Sequence, residues 1–246
     1  AEIGRYYETP DYISHSDTHK GLMNRVYHWV RRVMLARKAR LVKHNSRLNQ
    51  GSLLDIGTGT GYFPHFMQER GWHVSAIEKS PQARQFAKEH FELDVAAPEA
   101  LNEFADKSFD VITLWHVMEH LEHLNETWET LKRILKDQGI LIIAVPNPTS
   151  FDAEKYKEMW GAYDVPRHLW HFSPSVMQQF GAKHDFILCE RHPMPFDAFY
   201  VSMLSEKYRK SAFPFLKGLI AGTEAWIVSL AKKDRSSSMI YVFRKK

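Results

Sequence analysis

Residues 53–63 read LLDIGTGTGYF: an apolar run, one carboxylate at Asp55, then glycines at Gly57, Gly59 and Gly61. Each glycine costs conformational entropy on folding, so three in five residues need a compensating use. The use that fits is a tight turn that lets a ligand approach the main chain. The preceding SLLDI reads as a buried strand, and Gly61 opens a helix that Gly71 stops, so the turn sits at a strand-to-helix junction.

The alternation continues. HVSAIE is a second strand, ending in Glu78. SPQARQFAKEH follows as a helix, with Ser80 as N-cap and Pro81 at the first helical position. A short third strand is expected near residues 93–95, and SFDVITLW gives a fourth. ETWETLKRILKDQG is predicted as a helix closed near Gly139, with Trp128, Leu131, Ile134 and Leu135 inward, before a fifth strand, ILIIAVP. FILCERH and SMIYVFRKK read as two further strands. Strands alternating with helices imply a parallel sheet covered on both faces. The 246 residues, 44% hydrophobic, suffice for one α/β domain with decorations. We divide them into an N-terminal helical cap, 1–48, and a main domain, 49–246. Within that domain, the loop 147–172 and the insertion 197–236 decorate the acceptor side. The cap holds one amphipathic helix, with Leu22, Val26, Trp29, Val30, Val33 and Met34 expected inward.

Composition excludes several classes. One cysteine, Cys189, rules out a disulfide framework and a multi-cysteine metal site. The N-terminal stretch has no apolar signal core, and no run of about 18 apolar residues appears, so a cytoplasmic location is expected. Basic residues concentrate early: no acid stands from Thr18 to Leu54. This segment reads either as a solvated helix face or as one that leans on an anionic membrane or nucleic acid.

The glycine spacing selects the ligand. A dinucleotide site uses G-x-G-x-x-G with the pyrophosphate at the helix N-terminus. Here the pattern is G-x-G-x-G, and Tyr62 stands in the third slot of the other pattern. Asp55 would place negative charge where phosphates belong, so a cationic ligand suits the turn better. S-adenosylmethionine, with its sulfonium and ammonium, has the right sign. Glu78 ends the second strand about 20 residues on, where a carboxylate grips ribose hydroxyls.

LLDIGTGTGYF, VSAIEKS, SFDVITLWHVMEHL and LKDQGILIIAVPN, in that order, resemble the class I S-adenosylmethionine-dependent methyltransferases. The resemblance covers roughly residues 51–147. WHVMEHL is similar to the ubiquinone-biosynthesis O-methyltransferase branch and its uncharacterised bacterial relatives, and DVPRHLWHFSP is similar to a block in the latter. The resemblance implies a doubly wound, mostly parallel seven-stranded α/β sheet, order 3-2-1-4-5-7-6, with the last strand antiparallel. It implies Asp55 and the Gly57 carbonyl at the methionine ammonium, Glu78 at the ribose and Trp115 bordering the cofactor. Thr58, Gly59, Gly61, Tyr62 and Lys79 complete the implied cofactor-binding set. The usual adenine-contacting Asp is replaced by Ala97, with Glu99 as a nearby substitute.

Methyl transfer needs alignment, and a base when the acceptor must lose a proton. Two histidine groups follow strands four and five: His116, Glu119, His120 and His123, then Asp164, Arg167, His168 and His171. The candidate bases are His116, His120 and His168; the alternative is that His120 caps its turn with Glu119 and the rest are surface. The ubiquinone branch carries a metal-binding E-x-x-E-H run. Here it reads H-x-x-E-H, and Glu119 and His120 would diverge on a regular helix, so no metal is predicted. The aromatic loop 150–172 either folds over a flat or apolar acceptor or packs as a small core of its own. Residues 213–231 read as an amphipathic lid, a membrane-surface element or a satellite core. The expected acceptor is a small or lipid-like molecule, methylated at oxygen, with peripheral membrane contact as an added expectation and nucleic acid disfavoured. The oligomeric state is left open. The alternatives are a non-catalytic S-adenosylmethionine-binding module and a nicotinamide-dependent oxidoreductase. An RNA methyltransferase is opposed by LWHV standing where an N-P-P-Y motif would be.

Overall fold

The computed structural model describes residues 22–246, and side chains from His28 onward. Seven strands form one sheet: β1 (Ser52–Ile56), β2 (His73–Ile77), β3 (Val95–Ala96), β4 (Phe109–Trp115), β5 (Leu135–Pro146), β6 (Phe186–Pro193) and β7 (Ser238–Lys245). Their order is β3-β2-β1-β4-β5-β7-β6, as the resemblance implied. β1 pairs parallel with β2, β2 parallel with β3, and β6 antiparallel with β7. The helices are α1 (Leu22–Ser46), α2 (Tyr62–Gln68), α3 (Pro81–Phe91), α4 (Leu124–Ile134), α5 (Phe151–Tyr156), α6 (Pro174–Lys183), α7 (Asp197–Tyr208) and α8 (Pro214–Ala231).

The chain forms two compact units. The first runs through Thr113 and includes Thr130–Leu141; the second holds Leu114–Glu129 and Ile142–Lys246. In the first, Leu53 and Leu54 are fully buried, the mark of a parallel strand covered on both faces. Ser80 caps α3 by accepting from the Ala83 N–H, with Pro81 at the first helical position. β3 pairs for two residues only, because Pro98 then turns the chain into a 3-10 segment, Pro98–Asn102.

Two local expectations give way. The helix through ETWETLKRI ends at Ile134, and LKDQ belongs to β5. The last helical carbonyls explain this: those of Arg133 and Ile134 accept from the N–H groups of Lys107 and Ser108 at 3.0 and 2.8 Å, which turns the chain into the sheet. On α1, Trp29, Val30 and Val33 were expected inward and are exposed, Trp29 by 67%. Burial on this helix starts farther along, at Val42 and Asn45. The side chains of Leu22 and Val26, and the start of the expected cap, lie outside the described residues.

In the second unit, Trp128 is fully buried and meets Phe180, Phe186 and Phe243 edge-on at 5.3–5.5 Å. The aromatic loop resolves to the second of its two readings. Tyr156 and Trp160 are each 1% exposed and pack with Ala153, Ala162, Val201 and Ala221 as a satellite core. The buried Trp160 indole donates to Asp152 at 2.8 Å, and the Tyr156 hydroxyl donates to Glu206 at 3.0 Å.

Candidate active site

The first unit holds the glycine turn. Gly57, Gly59 and Gly61 all have positive φ, 69°, 58° and 85°. At Gly61 the reason is packing, since an added Cβ would lie 2.9 Å from the Cβ of Ala87. At Gly59 nothing lies within 4 Å of an added Cβ, so this backbone faces open space. The N–H groups of Gly57 and Thr58 donate to the Ile77 carbonyl at 2.8 and 3.0 Å, folding the turn onto the end of β2.

Glu78 is 5% exposed and fastens the turn. One carboxylate oxygen accepts from the Gly59 N–H at 2.8 Å and the other from the Ser80 N–H at 2.9 Å. This clamp was not foreseen in the sequence, where Glu78 carried only a ligand role. The two roles are compatible, because an ionised carboxylate offers about four acceptor sites and two remain. Asp55 is 2% exposed and accepts from the Thr113 hydroxyl at 2.5 Å. Burial pushes its carboxyl up to about 6, opposed by the Thr113 bond, the Lys38 charge and Thr58. A buried carboxylate beside a bare glycine backbone fits a donor that brings its own positive charge. The donor set thus suits a sulfonium cofactor better than a diphosphate.

Other members of the implied set differ in setting. Tyr62 lies under the Arg31 guanidinium at 3.9 Å and meets Phe91 edge-on at 4.9 Å. Lys79 is exposed. Ala97 starts the 3-10 turn that carries Glu99, which is exposed. Trp115, the last residue of β4, is partly buried and belongs to the second unit.

The second unit gathers imidazoles and carboxylates. His116 follows β4 with φ 58°, and its N–H donates to the Ala144 carbonyl at 2.9 Å. Its ring stands between two acids, with Asp197 at 3.1 Å and Glu119 at 3.4 Å. Burial alone would lower its pKa, but the Asp197 hydrogen bond and the charges of Asp197 and Glu119 raise it to about 10. His116 is therefore an imidazolium at neutral pH and has no lone pair with which to take a proton. The Asp197 partnership, 81 residues away in the chain, carried no signal in the sequence beyond an acid at a helix start.

Glu119 is 1% exposed, and neither oxygen makes a hydrogen bond, so His116 meets it as an ion-pair partner. Burial raises its pKa, yet the neighbouring imidazoles, His116 first, hold it below the usual carboxylate range. His120 Nδ1 lies 3.0 Å from the Arg167 carbonyl and His168 Nδ1 lies 2.8 Å from the Ala162 carbonyl. A carbonyl only accepts, so each Nδ1 carries a proton, and any lone pair a ring holds is on Nε2. The two rings meet edge-on at 4.6 Å. Burial lowers His168, with Glu119 opposing. Leu169 and Trp170 donate their N–H groups to the Glu119 carbonyl, which docks the later loop on this turn. Arg167 pairs with Asp164 at 2.6 Å. His123 and His171 are exposed; His123 pairs with Glu126 at 3.6 Å, and His171 contacts the Tyr163 carbonyl at 3.0 Å.

The metal geometry also departs from the sequence reading. Met118–His120 is a 3-10 turn, which lets Glu119 and His120 face the same partner. Glu119, His120 and His168 offer ligand atoms within 4.8 Å of one another, so the capable set includes His168, while His116 is engaged with Asp197. Two imidazoles and one carboxylate, each imidazole held through Nδ1 by a carbonyl, suit zinc or iron more than magnesium.

A family model described as a methyltransferase domain matches residues 26–189. The chain belongs to that methyltransferase family. S-adenosylmethionine is the donor of such domains, and this decides against the nicotinamide alternative. An uncharacterized methyltransferase of Staphylococcus carnosus is 33% identical over 111 residues, 44% of this chain and 52% of that protein. A ubiquinone biosynthesis O-methyltransferase of Pelagibacter ubique is 34% identical over 104 residues, 39% of this chain and 42% of that protein. The chain spans about half the length of the curated relatives it matches, and in some cases less. A solved methyltransferase structure from Galdieria sulphuraria, described as a sarcosine dimethylglycine enzyme, shares the fold. It has TM-score 0.60 and 16% identity over 91% of this chain and 88% of that one. The methyltransferase domain reaches across the turn at Asp55 and the cluster at Glu119, and stops before α7 and α8.

Proposed function

We propose that this protein transfers a methyl group from S-adenosylmethionine to an oxygen of a small or lipid-like acceptor. The observation that carries the oxygen assignment is the pair of imidazoles fixed through Nδ1, beside a buried carboxylate that makes no hydrogen bond. A hydroxyl is a poor nucleophile until it loses its proton, and this arrangement provides a base with a defined tautomer. Relatives named as ubiquinone biosynthesis O-methyltransferases support the same acceptor chemistry.

Bound S-adenosylmethionine supplies a methyl already activated by its sulfonium. Asp55 holds the donor's ammonium and Glu78 its ribose hydroxyls, through the acceptor sites that the turn leaves open. His168 takes the acceptor's proton at Nε2, since burial keeps this ring neutral, and Glu119 stabilises the imidazolium that forms. His116, held by Asp197, is a positioning residue that keeps Glu119 ionised.

The test is methyl incorporation from labelled S-adenosylmethionine into a panel of phenols, carboxylic acids, amines and prenylated phenols. The expected result is a methyl ether or ester, with turnover lowered on the order of 100-fold in His168→Ala and donor affinity kept. Methylation of amines alone, or full turnover in His168→Ala, would overturn the reading.

A further inference from the structure

Away from the candidate active site, α8 has inverted amphipathicity. Its buried residues are all small: Gly218, Ala221, Gly222, Ala225 and Ser229. Its large apolar residues Phe215, Leu216, Leu219, Ile220, Ile227 and Leu230 are exposed by 42% to 67%. At about 3.6 residues per turn these six fall within one arc of roughly 140°. Close packing against α7 explains the small set. A Cβ on Gly218 would lie 2.6 Å from the Met203 Cα, and one on Gly222 would lie 2.8 Å from the Phe199 Cα. Nothing in that packing calls for large apolar groups on the opposite side. The stripe covers on the order of 500 Å², near the top of the range for the largest patch on an ordinary monomer, and patches of that size mark interaction sites.

The charge around the stripe identifies the occupant. Residues 207–235 contain seven basic side chains and two acids. Both acids are paired, Glu224 with Lys155 and Asp234 with Arg191 at 3.3 Å. Lys207 and Lys210 precede the stripe, Lys217 lies beside it, and Lys232 and Lys233 follow it, all exposed. A recess of about 430 Å³ at the C-terminal end of α8 is lined by Phe151, Ile227, Val228 and Ala231 together with Lys232 and with Arg235, which pairs with Glu154. Apolar walls beside cations match a phospholipid's acyl chain and phosphate. Two copies of this face would bring like charges together, which opposes self-association. Among the described residues, no helix is long and apolar enough to cross a membrane. A helix with one apolar face and flanking lysines suits the plane of the bilayer interface.

We infer that α8 docks this protein on an anionic lipid surface, with its apolar stripe among the acyl chains and the flanking lysines on lipid phosphates. The full chain is sedimented with phosphatidylcholine vesicles, with and without phosphatidylserine, at low and high salt. Binding is expected with phosphatidylserine only, and weaker at high salt. Leu216→Ser/Ile220→Ser should lose it, and Lys232→Gln/Lys233→Gln should weaken it by on the order of tenfold. These sites are exposed, so S-adenosylhomocysteine affinity, measured in parallel, should stay at wild-type level in both variants. That separates a failure of docking from a failure of the methyltransferase reading. No vesicle binding by the wild type would overturn the inference, as would wild-type binding by both variants. A wild-type dimer that Leu216→Ser/Ile220→Ser dissociates, without vesicle binding, would assign the face to a second copy and also overturn it.

Discussion

The glycine turn and the imidazole cluster use charge in opposite ways. At the turn, Asp55 is buried with a hydroxyl partner and its pKa rises, so an arriving cation would favour its ionised form, the proton leaving to solvent. In the cluster, Glu119 is buried with imidazoles around it and its pKa falls, because the protein has already supplied the cation. The same desolvation acts on both acids; the neighbour decides the sign. The first arrangement leaves an electrostatic demand for a ligand, and the second satisfies that demand internally. The two acids thus differ in whether resident positive charge outweighs burial: Lys38 does not do so at Asp55, and the imidazoles do at Glu119.

The sharpest way to break this contrast is Gly59→Val. The side chain would stand in the open space at the turn, so donor binding measured by calorimetry should disappear while far-UV circular dichroism stays native. Wild-type affinity would show that the donor does not approach Gly59. Next, Asp55→Asn removes the unmet charge and should weaken S-adenosylmethionine more than its neutral-sulfur product at the sulfonium, with a loss of roughly 2–3 kcal/mol from the ammonium contact in both. Glu78→Ala removes the clamp together with the ribose contact and should weaken S-adenosylhomocysteine by roughly 1–3 kcal/mol; an unchanged dissociation constant would remove both roles. Asp197→Asn should leave donor affinity alone. It should bring the His116 titration down from about 10 towards its ordinary value, as followed by the imidazole proton resonances in NMR.

The smallest expected effect is on stability against pH. Asp55 has its folded pKa raised from 3.8 to about 6, so the folded state holds this proton more tightly than the unfolded state. Stability of the ligand-free protein should therefore fall as pH rises through that window, by at most about 3 kcal/mol, and level off above it. The comparison with Asp55→Asn isolates this contribution: the difference between the two melting curves should grow from pH 4 to 6. A difference that does not change with pH would show that Asp55 titrates normally.

The turn was legible because its parts are local. Asp55, the three glycines, Ser80 and Pro81 each act within a few residues, through backbone conformation and capping that residue type largely determines. Glu78 was found by its distance from the turn, although its bond to the Gly59 N–H was not. The cluster was legible only in part. His116, Glu119, His120 and His168 were singled out as residue types, but their roles depend on Asp197, on the carbonyls of Ala162 and Arg167 and on a 3-10 turn, none of which has a local signature. The α1 stripe failed for a related reason: helical spacing shows that Trp29, Val30 and Val33 share a face, not that anything described covers it. LKDQ went astray because its helix-like composition competes with tertiary hydrogen bonds that pull it into β5.

The clamp at Glu78 has a consequence for how the donor arrives. With the Gly59 and Ser80 amides already tied to one carboxylate, the bend is assembled before any ligand comes, and association has little chain disorder left to quench. A nucleoside fragment should therefore meet the same rigid bend as the whole donor, and lose affinity only by the contacts it lacks.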